Sequence, residues 1–313
     1  MKGIAAVLAV ACSCAAQAQT LGIGTAPQGT IGYNMGSAIA KALSEVEKIQ
    51  ARVQPYSGSS AVFPLVNTGE MDFTVGNVLE AQEAANGEGP YAGRKQGNLR
   101  IVAVIFPIQV GLFVKKDSPI RRIADLKGKR VTYGYTAQVT LKRVVDSILA
   151  NGGLDNTDIK TTLVPNVIRG ADDFAEGKAD AGFFAIGAGK VSEVDKSVGG
   201  IRFLPLSDEP KAVDRMKKLF QYAYVSEVKP GPAYAGIAAP TKLMAYDYLV
   251  LAGTHVQDAM VYRVAKTLHE HKAKLIESLR AFEAFDVQKM YKPMPAPFHA
   301  GALRFYKEKG LAK

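Results

Sequence analysis

The sequence predicts an α/β protein of two Rossmann-like lobes, on three observations. Short β-type runs alternate with helical stretches along the chain, the pattern of parallel strands joined by crossover helices. A unit of strand, small-residue loop and helix recurs in both halves. The chain, 313 residues in all, is long enough for two lobes of ordinary domain size, each with its own core.

The first unit covers residues 21–43. A short strand ends near Gly24, the loop 25–30 follows, and Met35, Ile39 and Leu43 then fall at i, i+4 and i+8, one apolar stripe of a helix. The second unit, 51–67, has a strand at 51–56, a turn at Ser57-Gly58-Ser59-Ser60 and a short helix carrying Val62, Leu65 and Val66. Pro64 suits that helix only in its first turn, where N–H groups lack intrahelical partners, which sets the start at about Ser60. A third strand, 72–76, ends at Asn77. The β-rich runs 101–107 and 109–115 read as two segments leading out of the first lobe, and 119–128 is a polar loop.

The second lobe repeats the pattern. It has a strand at 130–133, a turn at Gly134-Tyr135-Thr136, and a helix at 139–149 closed by Gly152-Gly153. Strands at 159–164, 179–184 and 201–206 and helices at 168–175 and 211–219 follow. The chain is expected to return to the first lobe around 222–228; 243–252 is then β-rich and 256–285 largely helical. The expected division is a leader at 1–18, lobe I from 19–110 with 226–313, and lobe II from 111–225.

The leader is an export signal: Lys2 opens it, an apolar run spans 4–11, and Ala16-Gln17-Ala18 precedes a cut ahead of Gln19. Both cysteines, Cys12 and Cys14, fall inside it, so the mature chain has no disulfide, cysteine zinc site or cysteine nucleophile. Lipid anchoring at Cys12 is the alternative, against which Ala9-Val10-Ala11 is a poor lipoprotein signal. No later segment reaches about 18 uninterrupted apolar residues, so a soluble periplasmic protein is expected.

The net charge of +10 is scattered: Lys115-Lys116, Arg121-Arg122 and Lys217-Lys218 are pairs with acids close by. That describes a solvated basic surface with a mild bias toward anions. A basic stripe with interleaved aromatics is lacking and tryptophan is absent, which argues against nucleic acid as a partner.

Three loops share one physical design. Residues 25–33, 57–60 and 134–140 each follow a strand, are built from small and hydroxylic residues, and open a helix. A helix start presents unpaired N–H groups and partial positive charge, glycine lets a ligand approach the backbone, and hydroxyls add donors. Converging beyond the strand ends, three such starts would hold an anion without any arginine. One loop of this kind serves packing equally well; three, split between two halves, point to a shared cleft.

Other chemistries fit less well. Gly22-x-Gly24 is followed by Pro27 and Gly29, so the third glycine of a dinucleotide fingerprint is out of register, and residues 126–129 (LKGK) lack the phosphate-loop spacing. Ser59 lacks the glycine frame of a nucleophile elbow. His269 and His271 face different sides of a helix and do not share a metal; they and His255 and His299 read as solvated. No catalytic residue, metal or cofactor is therefore expected. Among the aromatics, Phe183 reads as core, whereas Tyr33 and Tyr135, inside glycine-rich loops, read as pocket walls.

With these residues in view, the chain resembles the TAXI family of TRAP-transporter solute receptors. The matching stretches are 24–36 (GTAPQGTIGYNMG), 54–60 (QPYSGSS), 65–72 (LVNTGEMD), 123–131 (IADLKGKRV), 180–184 (DAGFF) and 234–236 (YAG). The resemblance implies a type II periplasmic-binding-protein fold with lobes joined by a hinge, export, and delivery of solute to membrane permease subunits driven by an ion gradient. It also implies a ligand site at the loops above, with Gly29 and Tyr33 matching the first and Ser57, Gly58 and Ser59 the second. The chain departs from the family's Tyr-Tyr pair, with Gly32-Tyr33 in its place, and from its richer third loop, with residues 134–138 reading GYTAQ.

The expected function is capture of a small organic anion, a carboxylate of glutamate-like or 2-oxo-acid type, between the lobes. Amides near Gly29, Ser59 and Thr136 would hold the carboxylate, and hydroxyls of Thr25, Ser57, Ser60 and Thr140 would assist. Asn77 and Gln138 would orient a second polar group; Gln28, Tyr33, Gly58, Tyr135 and Phe184 complete the expected wall. A receptor of a tricarboxylate-type transporter and a secreted enzyme on the same fold are the alternatives.

Overall fold

The computed structural model describes residues 20–312. The expected leader, with Cys12, Cys14 and the cut ahead of Gln19, lies outside them. In chain order the elements are β1 (Leu21–Thr25), α1 (Ile31–Glu47), β2 (Ala51–Pro55), α2 (Ser59–Thr68), β3 (Phe73–Asn77), α3 (Val78–Asn86) and β4 (Leu99–Lys115). Then come β5 (Arg130–Gly134), α4 (Thr140–Asn151), β6 (Lys160–Val164), α5 (Val167–Ala175), β7 (Gly182–Ala185), α6 (Gly189–Ser197), β8 (Ile201–Phe203) and α7 (Pro210–Leu219). The chain closes with β9 (Tyr224–Val228), β10 (Thr241–Gly253), α8 (Asp258–Glu270), α9 (Lys272–Ser278) and α10 (Ala300–Glu308).

The sheet is mixed, where the alternation of elements predicts parallel strands throughout. β1 pairs parallel with β2 and β3, and β5 with β6, but β10 runs antiparallel between β3 and β4. The strand order β2-β1-β3-β10-β4-β7 follows, with β8 paired to β4 and β9 to β10. β4 and β10 are long because each serves both lobes. The first half of β4 pairs with the end of β10; its second half pairs with β7, β8 and the start of β10. The two runs at 101–107 and 109–115 are thus one strand carried through Pro107, which sits opposite Asp247 where the register shifts. A proline that cannot donate to the ladder is tolerated at such an irregularity. Residues Thr241–Ala245 of β10 pair with β9 before the strand continues along β3.

The expected stripe of α1 is buried: Met35, Ile39 and Leu43 are each 2% exposed or less. α2 begins at Ser59, near the expected place, yet Pro64 lies in its second turn. The helix continues past it without that N–H, so the carbonyl of Ser60 loses its intrahelical donor. α3, α6 and α10 are not among the expected elements. His299 is a correction: it is buried, not solvated, and caps α10 by accepting from Gly301 N through Nδ1 at 3.2 Å. Among the described residues no helix is long and apolar enough to cross a membrane.

Candidate functional site

A cavity of about 70 Å³ lies where β4 and β10 pass between the lobes. Its floor is formed by i, i+2 pairs that share a face of each strand: Ile108 and Val110 of β4, Tyr246 and Tyr248 of β10. Tyr246 and Ile108 are direct cross-strand partners. Phe183 and Phe184 of β7 wall the lobe II side. Larger openings exist, among them one of about 540 Å³ at the far end of lobe II. That one is enclosed by a single lobe, and its Arg130 is already bound to Asp180 at 2.6 Å. The small cavity is distinguished by what converges on it.

Four helix starts reach it, two from each lobe. α1 contributes Thr30, Ile31 and Gly32; α3 contributes Asn77 and Glu80; α4 contributes Gln138 and Leu141; α5 contributes Val167. Each start is locally fixed. Thr30 Oγ1 accepts from Tyr33 N, and a reciprocal capping box joins Asn77 and Glu80, with Glu80 N donating to Asn77 Oδ1 at 3.0 Å and Asn77 N to Glu80 Oε2 at 3.2 Å. Val167 N donates to Gln138 Oε1 at 2.8 Å, which ties the start of α5 to the loop before α4. Lysine and arginine are absent from the lining and Glu80 is its one charged side chain, so the groups there that favour an anion are the backbone amides and dipoles of the helix starts. Burial first, and the negative charge of Glu80 with it, holds the phenols of Tyr246 and Tyr248 well above their ordinary range. Both keep the proton that a donor to an anion needs.

The lobes meet along three seams around this cavity. Ser60 Oγ donates to Ala137 O at 3.3 Å. Thr140 Oγ1 donates to Glu83 Oε2 at 2.6 Å, and Arg143 Nη1 stands 3.4 Å from Glu83 Oε1. Lys190 N donates to Gly29 O at 3.5 Å. The described form is therefore closed.

Of the expected site residues, Asn77, Gln138 and Phe184 line the cavity. The others are engaged elsewhere. Thr25 is fully buried beneath α1, where a Cβ at Gly36 would collide with its methyl. Gln28 donates to the Tyr33 hydroxyl at 3.3 Å on the outer side of the loop. Gly29 adopts φ +84° in the turn and faces Ile168 and Lys190 of lobe II. Ser57 is exposed, and Gly58 and Ser60 lie on the seam with Ala137; Ser59 opens α2. Tyr135 is buried in lobe II, its hydroxyl on Thr132 O at 3.0 Å and its ring against Phe183. Thr136 is exposed and its amide donates to Val164 O, while Thr140 donates to Glu83. Phe183 is buried in the core as expected, and its position also borders the cavity. Tyr246, Tyr248 and Glu80 escape the sequence reading, and Thr30 and Gly32 fall inside its first loop without being singled out, although residues 77–80 spell the capping-box signature Asn-x-x-Glu that places a helix start there.

The sequence model of one family matches residues 23–310, nearly the whole described chain. The chain belongs to the NMT1-like family. Solved structures share the fold of this family member at low sequence identity. The alkanesulfonate-binding protein SsuA from Xanthomonas axonopodis pv. citri, bound to MOPS, superposes with a TM-score of 0.53 at 16% identity, over 92% of this chain and 83% of its own. PhnD1 from Prochlorococcus marinus, in complex with methylphosphonate, gives 0.57 at 12% identity, over 93% and 98%. The amino acid ABC transporter substrate-binding protein AbpA from Streptococcus pneumoniae, bound to L-arginine, gives 0.53 at 12% identity, over 87% and 97%. The fold is thus that of two-lobed periplasmic binding proteins.

Proposed function

We propose that this protein is an exported solute receptor that captures a small organic anion between its lobes and hands it to a membrane transporter. The observation that carries this reading is the convergence of four helix starts, two from each lobe, on one cavity without a basic side chain in its lining. An anion there is held by fixed amide dipoles that need no reorganisation, and the phenols of Tyr246 and Tyr248 add donors. Because it touches both lobes, it binds the closed form better than the open one, which is what drives closure. The cavity is about 70 Å³, so the ligand is a small metabolite and not an oligomer.

Within that class we favour a carboxylate. Glu80 in the lining further favours one that also carries a hydrogen-bond donor, as a glutamate-like acid does and a 2-oxo acid does not. The fold relatives SsuA and PhnD1 hold a sulfonate and a phosphonate, so the neighbouring anion classes belong in the test. Calorimetry with L-glutamate, 2-oxoglutarate, citrate, MOPS, methylphosphonate, L-arginine and glucose is expected to show a carboxylate binding most tightly. Tight binding of glucose alone rejects the anion site; tight binding of MOPS or methylphosphonate keeps the site and changes the class.

The partner we infer is the permease of a TRAP-type transporter, on the TAXI-like motifs at 24–36 and 54–60. The likeness to AbpA favours an ABC-type partner as the second reading. Uptake of the bound solute by cells carrying one permease class or the other decides: abolition by collapsing the ion gradient with ATP maintained supports the TRAP reading, and persistence overturns it.

A further inference from the structure

Glu83 belongs to α3 of lobe I, yet the partners of its carboxylate come from lobe II. Thr140, the first residue of α4, donates to one oxygen at 2.6 Å, and Arg143, one turn on, stands 3.4 Å from the other. The Glu83 side chain is 3% exposed, whereas that of Arg143 is 39% exposed. Arg143 also spends its Nε on the carbonyl of Leu219 at 2.6 Å. A carboxylate stripped of nearly all its water therefore faces one half-solvated guanidinium at the long end of hydrogen-bond reach. The two other acids nearby share its charge. Glu80 stands one turn back on the same helix and Glu88 follows that helix, while the buried, neutral phenol of Tyr91 lies near Glu80 and Glu83. Burial, with Glu88 adding a little, raises Glu83 above the ordinary carboxyl range against the opposing pull of Thr140 and Arg143.

We propose that Glu83 is a proton-dependent latch between the lobes: closure seats its carboxyl against Thr140 and Arg143, and the closed form is favoured when that carboxyl carries a proton. Protonation removes the cost of burying charge, and the Thr140 contact survives because a hydroxyl both donates and accepts. Opening returns the group to water. The closed form thus holds a proton more tightly than the open one, and a fall in pH shifts the population toward closure.

The latch rests on the reading of the cleft as one that opens and closes, and on no particular ligand, so the empty protein is the sample. Small-angle scattering at about pH 5 and pH 8, compared with far-UV circular dichroism, reads the lobe separation. The wild type is expected near the ~19 Å radius of gyration of a compact chain of this length at the lower pH, and about 1 Å larger at the higher. Glu83→Gln is expected to stay compact at both, and Gly58→Val, which wedges the Ala137 seam, to be expanded at both. A folded Gly58→Val that stays compact overturns the opening and closing of the cleft. An expanded Gly58→Val beside a pH-insensitive wild type, or a Glu83→Gln that keeps the wild-type shift, overturns the latch alone. If Glu83→Gln does not fold, Arg143→Gln replaces it: loss of the opposing cation must move the transition to higher pH, and an unmoved midpoint overturns the latch.

Discussion

Gly58 of lobe I lies so close to the carbonyl oxygen of Ala137 in lobe II that any Cβ at residue 58 would overlap it. The backbone there is extended, with φ 179°, so glycine is required for the approach of the lobes and not for the conformation of its own chain. A serine- and glycine-rich turn that reads as a ligand cradle is, in the closed form, the place where two backbones meet.

Gly58→Val should therefore fold normally and bind weakly. The obstruction exists only when the lobes close, so the melting temperature of the empty protein stays near that of wild type. Affinity for the tightest carboxylate of the calorimetric panel falls at least about tenfold, the equivalent of ~1.4 kcal/mol. Calorimetry beside a melt separates the two quantities; unchanged affinity would show that binding does not require this seam to close.

Tyr248 and Tyr246 carry the donor argument. Removing either hydroxyl takes away one hydrogen bond to a charged ligand, about 1.5–3 kcal/mol where the bond is made. Tyr248→Phe and Tyr246→Phe should each raise the dissociation constant tenfold or more while leaving secondary structure intact. Gly32→Ala should act on the same group from the other side, because a Cβ there comes within 2.9 Å of the Tyr248 hydroxyl. Wild-type affinity in both phenylalanine variants would take β10 out of the site.

What the sequence reveals, and what it hides, divides along contact range. The stripe Met35, Ile39, Leu43 and the turn at residues 134–136 are local patterns, and the structure contains both. The cavity floor is not local. Tyr246 faces it because β10 pairs with β4 at Ile108, more than a hundred residues away, and nothing within residues 241–253 marks where the strand changes lobes. Thr25 and Tyr135 mislead for a related reason. A hydroxyl beside a glycine suits a ligand, but it equally suits a buried group with a nearby acceptor, and Tyr135 finds one in Thr132. The residue type signals a hydrogen bond; tertiary packing decides with whom.

Gly29 separates strain from recognition. Its φ of +84° is a left-handed conformation, while a Cβ would meet Ile168 at an ordinary 3.4 Å. The turn belongs to lobe I alone and is strained equally in open and closed forms. Gly29→Ala should then cost about 1–2 kcal/mol of stability, seen as a melting temperature lower by roughly 2–4 °C per kcal/mol. Its ligand affinity should be close to wild type. A loss of affinity without loss of stability would put Gly29 at the ligand after all.

The pH dependence of stability pits histidines against a carboxyl. Burial, the largest influence on each, depresses His299 and His269 below the ordinary imidazole range, although Asp258 pulls His299 the other way. Neither ring nitrogen of His269 has a hydrogen-bond partner, and His299 needs an unprotonated Nδ1 to accept from Gly301. The unfolded chain, with histidines near 6.5, binds these protons more tightly than the fold does. Their contribution is fully present above about pH 6.5 and is lost as pH falls through that value toward the depressed folded ones. Glu83, raised by burial, acts in the opposite sense: its contribution is present in acid and is lost as pH rises through its folded value. His299 is buried, as are both ring nitrogens of His269, so below about pH 6.5 these two groups favour the unfolded chain and melting temperature should fall on acidification. His299→Asn keeps a side-chain acceptor for the cap and removes the titration. Its melting temperature should fall less steeply between about pH 6.5 and pH 5 than that of wild type. Parallel profiles for the two proteins would show that His299 is not the group being protonated.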